Sequence, residues 1–174
     1  CSRYVPECFG TCDALIVSDG VLHIIDLKSG RGVKVDAEEN DQLRIYSLGA
    51  MRMFDFLYRF EIVRMSIYQP RLGNVQTWEV RADALTEWAK TVLVPAANLA
   101  WNGEGGYAAG EHCRFCKAKA ECRARAEANL ALAVYDFTDP ALLQICEVAD
   151  ILGKIDELVS WASDVKDYAL AQAL

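Results

Sequence analysis

The chain has 174 residues and a mass of 19.3 kDa, and 53% of it is apolar, enough for one buried core with a small appendage. A multi-domain motor is excluded. Charged residues make up 25%, 18 basic against 25 acidic for a net charge of −7, so the chain is neither a disordered acidic tail nor a histone-like polycation, and any nucleic-acid contact must come from a local patch. Seven cysteines, three of them between Cys113 and Cys122, suit a metal or cluster better than a secreted disulfide framework and point to an intracellular protein. No apolar run approaches the roughly 18 to 20 residues of a membrane span, and no signal-peptide pattern opens the chain, so a soluble protein without a membrane partner is expected. The start at CSRYVPECFG without Met and the stop in helical sequence at Leu174 are read as signs of a piece of something longer.

In chain order, residues 13–18 and 21–28 read as two strands, joined at Asp19-Gly20, one of the strongest short hairpin signals. A polar, glycine-containing connection over 29–39 follows. The spacing predicts a helix from Asn40 to Tyr58 with Leu43, Tyr46, Ala50, Met51, Phe54, Leu57 and Tyr58 on its buried face. A β-branched and aromatic run, Phe60 to Tyr68, is a third strand and Val75 to Val80 a fourth. Strand, helix, strand implies a crossover and a parallel pair, hence an α/β class with a mixed sheet. A second helix runs from Ala82 to about Trp101, carrying Leu85, Trp88, Val92, Ala96 and Leu99 on one stripe and bent by Pro95. Asn102 to Gly110, with four glycines, is a loop. Beyond the cysteine segment, a helix from about Ala118 to Tyr135, a break at Asp139-Pro140 and helical sequence to the end are expected, with Cys146 in the core. From Ile151 the last helix spaces Leu152, Ile155, Leu158, Val159, Ala162, Val165 and Ala169 on one stripe, which is read as packing on its own domain.

A two-residue hairpin loop pairs Ser18 with Val21 and carries Asp13 to a place opposite Asp26. Directly opposed carboxylates have Cβ atoms about 4.5–5.5 Å apart and repel unless a cation sits between them. The period of two sets Leu22, Ile24, Asp26 and Lys28 on one face, so Lys28 neighbours both acids. Two carboxylates for a hard divalent ion, Mg²⁺ or Mn²⁺, beside a lysine are what phosphodiester hydrolysis requires: the metal polarises the phosphoryl oxygen and acidifies water, and the lysine orients that water or stabilises developing charge. An isolated Asp-x-Lys is common by chance; here both acids emerge from the hydrophobic strands ALIV and LHII.

Gly10-Thr11-Cys12-Asp13, then Asp26-Leu27-Lys28, then Gln42 with Tyr46 form an ordered set that resembles the PD-(D/E)XK nuclease superfamily, in its RecB-like branch. The four-residue step from Gln42 to Tyr46 keeps both on one helical face. The resemblance implies a restriction-endonuclease-like core, with Asp13, Asp26 and the backbone carbonyl of Leu27 as metal ligands, Lys28 as the catalytic lysine, and Gln42 and Tyr46 positioning substrate or water. VPECFGTCD, Tyr68-Gln-Pro-Arg71 and GEHCRFCKAKAECRARAEANL are similar to a family of phage-associated RecB-like proteins. On that likeness residues 1–110 are the nuclease core, without an identifiable first helix, and residues 111–174 are the cysteine segment and C-terminal helices packed on the same domain. The implied activity is a Mg²⁺- or Mn²⁺-dependent deoxyribonuclease, an exonuclease acting in phage replication or recombination. Its partners would be DNA and recombination or replication proteins, in the cytoplasm of a bacterial or phage-infected cell.

Cys113, Cys116 and Cys122 read as ligands for zinc or an iron-sulfur cluster. Their C-x2-C-x5-C spacing resembles the cluster-bearing RecB-like nucleases, AddB-type and CRISPR-associated, which implies a [4Fe-4S] cluster whose fourth cysteine lies well upstream. This sequence departs from that pattern, since Cys1, Cys8 and Cys12 lie only just before Asp13; His112 could instead complete a Cys3His zinc site. Arg114, Lys117, Lys119, Arg123 and Arg125 form a basic run suited to phosphate contact or to a solvated helix face. His23 alternates onto the face opposite Asp26, and with two histidines in all a Ser-His-Asp hydrolase is poorly supported. No phosphate-binding G-x-x-x-x-G-K-[ST] loop is present. The alternative function is a non-catalytic DNA- or protein-binding module with a structural zinc or iron-sulfur site and a vestigial nuclease site.

Overall fold

The hairpin forms in the expected register: β1 (Ala14–Ser18) runs antiparallel to β2 (Val21–Leu27) with Ser18 facing Val21 and Ala14 facing Ile25. Asp19 and Gly20 both take positive φ, +50° and +78°, as the tight turn between right-twisted strands demands. The tip is tied down, because the Gly20 carbonyl accepts from the backbone N–H of Glu61 (2.8 Å) and of Ile62 (3.3 Å) at the start of β3 (Ile62–Gln69). The computed structural model describes residues 2–30, 32–132 and 143–174. They fall in two compact units, residues 1–105 and 106–174, divided inside the glycine-rich stretch.

In the first unit β2 pairs parallel with β3, the crossover being α1 (Asp41–Phe54), and β3 pairs antiparallel with β4 (Asn74–Arg81). The result is a mixed four-stranded sheet in the order β1-β2-β3-β4 within an α/β unit. Strand alternation sends Leu22 and Ile24 of β2 and Val63, Met65 and Ile67 of β3 to one face, where all five are completely buried. Leu43 and Leu48 of α1 and Leu85 of α2 (Ala82–Trp88) complete the same cluster. At about 1.5–3 kcal/mol for each fully buried large aliphatic side chain, this layer is the main stabilising term of the unit. Arg44 joins it by lying over the rings of Trp78 (5.1 Å) and Trp88 (4.7 Å), with Glu39 and Asp41 on its guanidinium.

Asn40 caps α1, its side chain accepting from the Leu43 N–H at 3.2 Å. The helix is shorter than its apolar spacing predicts. Leu57 and Tyr58 both bond back to the Phe54 carbonyl at 3.0 Å, the chain turns toward β3, and the two side chains expected inside are 61% and 47% exposed. The connection 29–39 is less free than its composition suggests. Side-chain amides of the β3-β4 turn hold it: Gln69 accepts from Val35 N–H (2.9 Å) and donates to the Val33 carbonyl (3.1 Å), Asn74 donates to the Val35 carbonyl (2.9 Å), and Gln76 accepts from Ala37 N–H (3.1 Å). This clamp delivers the chain from the end of β2 to the start of α1.

The second expected helix runs as α2, a π-turn over Ala89–Leu93, and α3 (Val94–Asn102), closed by Gly103 at φ +70°. Pro95 has no N–H for the preceding turn, and the wider π spacing takes up the defect just ahead of it. In the second unit a 3-10 turn spans Glu111–Phe115, and α4 (Arg123–Leu130) packs on α5 (Ile145–Ala173). The helix expected from Ala118 therefore begins at Arg123; Tyr135, Asp139 and Pro140 lie outside the described residues. Cys146, expected in the core, is exposed on α5. Among the described residues no helix is long and apolar enough to cross a membrane.

Candidate active site

Asp26 is the last inward-facing residue of β2. It follows Leu22 and Ile24 onto the buried face and is itself 6% exposed. Burial of a carboxylate at the edge of an apolar layer is costly unless something positive meets it. Lys28, two residues on, supplies part of that charge: its Nζ lies 2.7 Å from Asp26 Oδ2. The contact is an ion pair without hydrogen-bond alignment.

Asp13 sits one step before β1. The hairpin register carried one step further would face it with Asp26, and its Oδ2 accepts the Leu27 N–H at 2.7 Å. The bond fixes the first acid against the backbone between the second acid and the lysine. From Lys28 the polar chain continues onto α1. Its Nζ donates to Gln42 Oε1 at 2.9 Å, and Gln42 Nε2 donates to the Tyr46 hydroxyl at 3.0 Å across one helical turn. Asp26, Lys28, Gln42 and Tyr46 are thus joined in one line of contacts, with Asp13 and Leu27 beside it.

Gly10 enters through its missing side chain. A Cβ at this position would lie 2.6 Å from Tyr46 Cε1, so the segment before Asp13 runs flat against the tyrosine ring. The sequence singles out Gly10 only as part of a motif; the reason for a glycine here is visible once α1 is folded against the hairpin.

The acidic pair suits a hard divalent ion. A buried carboxylate and a second carboxylate bonded to the Leu27 N–H, with the Leu27 carbonyl following Asp26 directly in the chain, offer oxygen only. Among the described residues no three His, Cys, Asp or Glu side chains converge in metal-holding geometry. Two carboxylates rather than a cage match the way Mg²⁺ is usually held, through one or two carboxylates with water and substrate phosphate filling the rest.

The cysteine segment is arranged differently. Cys113 is buried with its Sγ accepting from Gly110 N–H at 3.5 Å, Cys116 is exposed and Cys122 is half-buried ahead of α4. His112 Nε2 is taken by the Ala108 carbonyl at 3.0 Å. As these side chains stand they do not form the expected ligand set.

The basic run also divides. Arg114, Lys117 and Arg123 are exposed. Arg125 is 1% exposed, its Nε donating to Glu157 Oε1 (2.7 Å) and an Nη to Asp164 Oδ2 (2.6 Å), and Lys119 pairs with Asp164 at 2.6 Å. Those two charges are directed into α5, not toward a phosphate. The Lys119 and Arg125 hydrogen bonds hold the Asp164 carboxyl below its usual range. Burial lowers the Arg125 guanidinium, but its bonds to Asp164 and Glu157 outweigh that and leave it raised.

On the far face of the sheet, where alternation places His23, runs a polar chain: His23 Nε2 to Ser66 Oγ (2.8 Å), and Ser66 Oγ to Thr77 Oγ1 (2.7 Å). Burial and the neighbouring Arg64 depress the His23 pKa, with Glu79 opposing. Period-two alternation already puts these three on one face; their pairing depends on the β2-β3-β4 order, which alternation does not give. No solved structure matches the chain. Over residues 1–174 it matches the family model described as protein of unknown function, DUF2800, and it belongs to that family.

Proposed function

We propose that the chain is a metal-dependent DNA nuclease with a restriction-endonuclease-like core, hydrolysing phosphodiester bonds as a RecB-like exonuclease in phage replication or recombination. The observation that carries this reading is the unbroken line from Asp26 through Lys28 and Gln42 to Tyr46, with Asp13 bonded to Leu27 at its head. The residues come from two strands and a helix, and their types are those of phosphoryl hydrolysis. A Mg²⁺ or Mn²⁺ ion held by Asp13, Asp26 and the Leu27 carbonyl would polarise the phosphoryl oxygen and make water acidic enough to attack near neutral pH.

The chain's own residues do the rest. Lys28 Nζ is poised between the Asp26 carboxylate and the Gln42 amide oxygen, so its N–H groups can turn toward an incoming phosphate oxygen and stabilise the charge that develops there. Gln42 holds that ammonium in place, and its own amide is oriented by the Tyr46 hydroxyl. Outside this unit, phosphate contact falls to Arg114, Lys117 and Arg123, whose charges face solvent. Nothing in this reaction requires the three thiols; a zinc or iron-sulfur role for Cys113, Cys116 and Cys122 would need them to draw together first.

The test is cleavage of linear single- and double-stranded DNA with Mg²⁺ or Mn²⁺, beside Asp26→Ala and Lys28→Ala. Both variants are expected to be inactive while keeping the parent's circular dichroism. Equal cleavage by parent and both variants would overturn the assignment, as would an inactive parent.

A further inference from the structure

Beside the polar line lies a cavity of about 290 Å³ walled by the segment before Asp13 and by α1. Its lining includes Phe9, Leu15, Tyr46, Ala50, Met53 and Phe54, and no charged side chain reaches it. Phe9 is 94% exposed and Met53 66% exposed. Apolar side chains held this open to water cost free energy, and an aromatic ring at the mouth of a cavity gains by being covered with another flat surface.

The cavity and the acidic site share Tyr46. Its ring lines the apolar wall, pressed by Gly10, while its hydroxyl ends the polar chain that starts at Asp26. A ligand that is apolar and flat on one side fits this wall, and negative charge on its other side would meet Lys28 and the divalent ion proposed for the acidic pair. A nucleotide has that division: an uncharged aromatic base joined through sugar to a phosphate. The volume is just below the roughly 300–1,000 Å³ of sites that take drug-sized ligands, which suits one ring system rather than a base pair.

We infer that this cavity receives a single unpaired base of the DNA strand being cut, stacked against Phe9 with Met53 and Phe54 beside it, while the adjoining phosphate lies at Asp13, Asp26 and Lys28. The inference rests on the nuclease reading and narrows its preferred substrate to single-stranded DNA or a frayed end, because a base inside a duplex would first have to give up its pairing and stacking, at a cost in free energy. Stacking on an aromatic side chain is sequence-tolerant, since every base has a π-face. Cutting without sequence preference is expected to follow.

The experiment uses single-stranded oligonucleotides identical except for one abasic residue moved stepwise along the chain. Binding is measured in Ca²⁺ by fluorescence anisotropy, and cleavage in Mg²⁺ or Mn²⁺ by mapping the products. An abasic residue at one fixed step from a phosphate is expected to suppress cleavage at that phosphate about 5-fold or more and to weaken binding similarly. Phe9→Ala should raise KM about 5-fold or more and flatten the abasic dependence, and Phe9→Trp should restore both. Since Phe9 is so exposed, neither change disturbs folding.

Cleavage and binding indifferent to the position of the abasic residue would overturn the base pocket and leave hydrolysis standing. Position-dependent binding without cleavage would retire hydrolysis and leave the pocket. A protein that neither binds nor cuts would remove both.

Discussion

Two clusters of opposite charge, one in each unit, differ in which partner is buried. Around Arg125 the cation is inside, bracketed by Glu157 and Asp164 with Lys119 alongside, so two positive groups meet two negative ones. At the hairpin the buried member is the carboxylate of Asp26; the ammonium of Lys28 is the more exposed partner, at 28% against 9% for the side chains, and Asp13 brings a second negative charge. Two carboxylates against one ammonium leave the site one positive charge short. A balanced cluster has no demand for a ligand, whereas a site left one positive charge short beside a buried carboxylate has one. Two groups of similar residue types are thereby separated into a fastener and a candidate reaction centre.

The sharpest way to break that distinction is Asp26→Asn. It keeps the shape and removes the charge, so cleavage is expected to fall about 10²–10³-fold. Stability should change by less than about 1 kcal/mol, because the lost partner, Lys28, is partly exposed and the contact lacks hydrogen-bond alignment. Equal losses of activity and of melting temperature would show the acid to be a fastener after all. Arg125→Met should do the reverse. Removing one side of a buried pair costs about 3–5 kcal/mol; here about 2–3 kcal/mol is expected, since Glu157, with its side chain 46% exposed, can return to water. Urea unfolding followed by far-ultraviolet dichroism measures it.

The same cluster has a pH signature with a definite sign. The Asp164 carboxyl is held below its unfolded value, first by Lys119 and then by Arg125. Its contribution to stability is therefore complete above the unfolded Asp pKa of about 3.9 and is lost as pH falls through the lower folded value. Unfolding midpoints measured from pH 6 down to pH 2 should drop below about pH 4 in the parent, and drop less in Arg125→Met. An unchanged slope would place the acid sensitivity elsewhere.

How much of this could be read from residues alone depends on the distance over which each feature is decided. The hairpin and its register are local: Asp19-Gly20 and two alternating strands suffice, and the placing of Asp13, Asp26 and Lys28 follows from them. The Gln42-Tyr46 pair is equally local on α1. The clamp over residues 33–37 was invisible because its amides, Gln69, Asn74 and Gln76, act across 34 to 39 residues and look like ordinary strand-end polar groups. The burial of Arg125 is hidden for the same reason. Five basic residues in one run look equivalent until α5 returns, and its acids, 32 and 39 residues further on, select one of them for burial. Composition shows that a patch is basic and not which of its charges are already spent.

Gly10→Ala sharpens the comparison from the apolar side. A Cβ 2.6 Å from Tyr46 Cε1 cannot be accommodated without moving the ring, and the ring carries the hydroxyl that accepts from Gln42. Cleavage should fall about 10-fold, the loss on the order of one displaced positioning contact, with the unfolding midpoint within a few degrees of the parent because the ring end can swing. A large loss of stability with proportionate loss of activity would mean that the contact serves packing alone.

The smallest expected effect belongs to Tyr46→Phe, and it decides whether the polar line acts as a unit. The variant keeps the ring in the cavity and deletes only the oxygen that accepts from Gln42 Nε2, so KM should hold. Gln42 then loses one anchor while its other end still accepts from Lys28 Nζ at 2.9 Å, and water can take the vacated bond because the pair is exposed. A net hydrogen bond is worth about 0.5–1.5 kcal/mol, which sets a fall in kcat of about 2- to 10-fold. Gly10→Ala displaces the same hydroxyl by another route, so the two changes share a mechanism and should not add: the double variant is expected near the loss of Gly10→Ala alone. Full additivity would mean that Gly10 reaches the acids along the main chain through Asp13, and that Tyr46 and Gln42 lie outside the chain of contacts that holds Lys28.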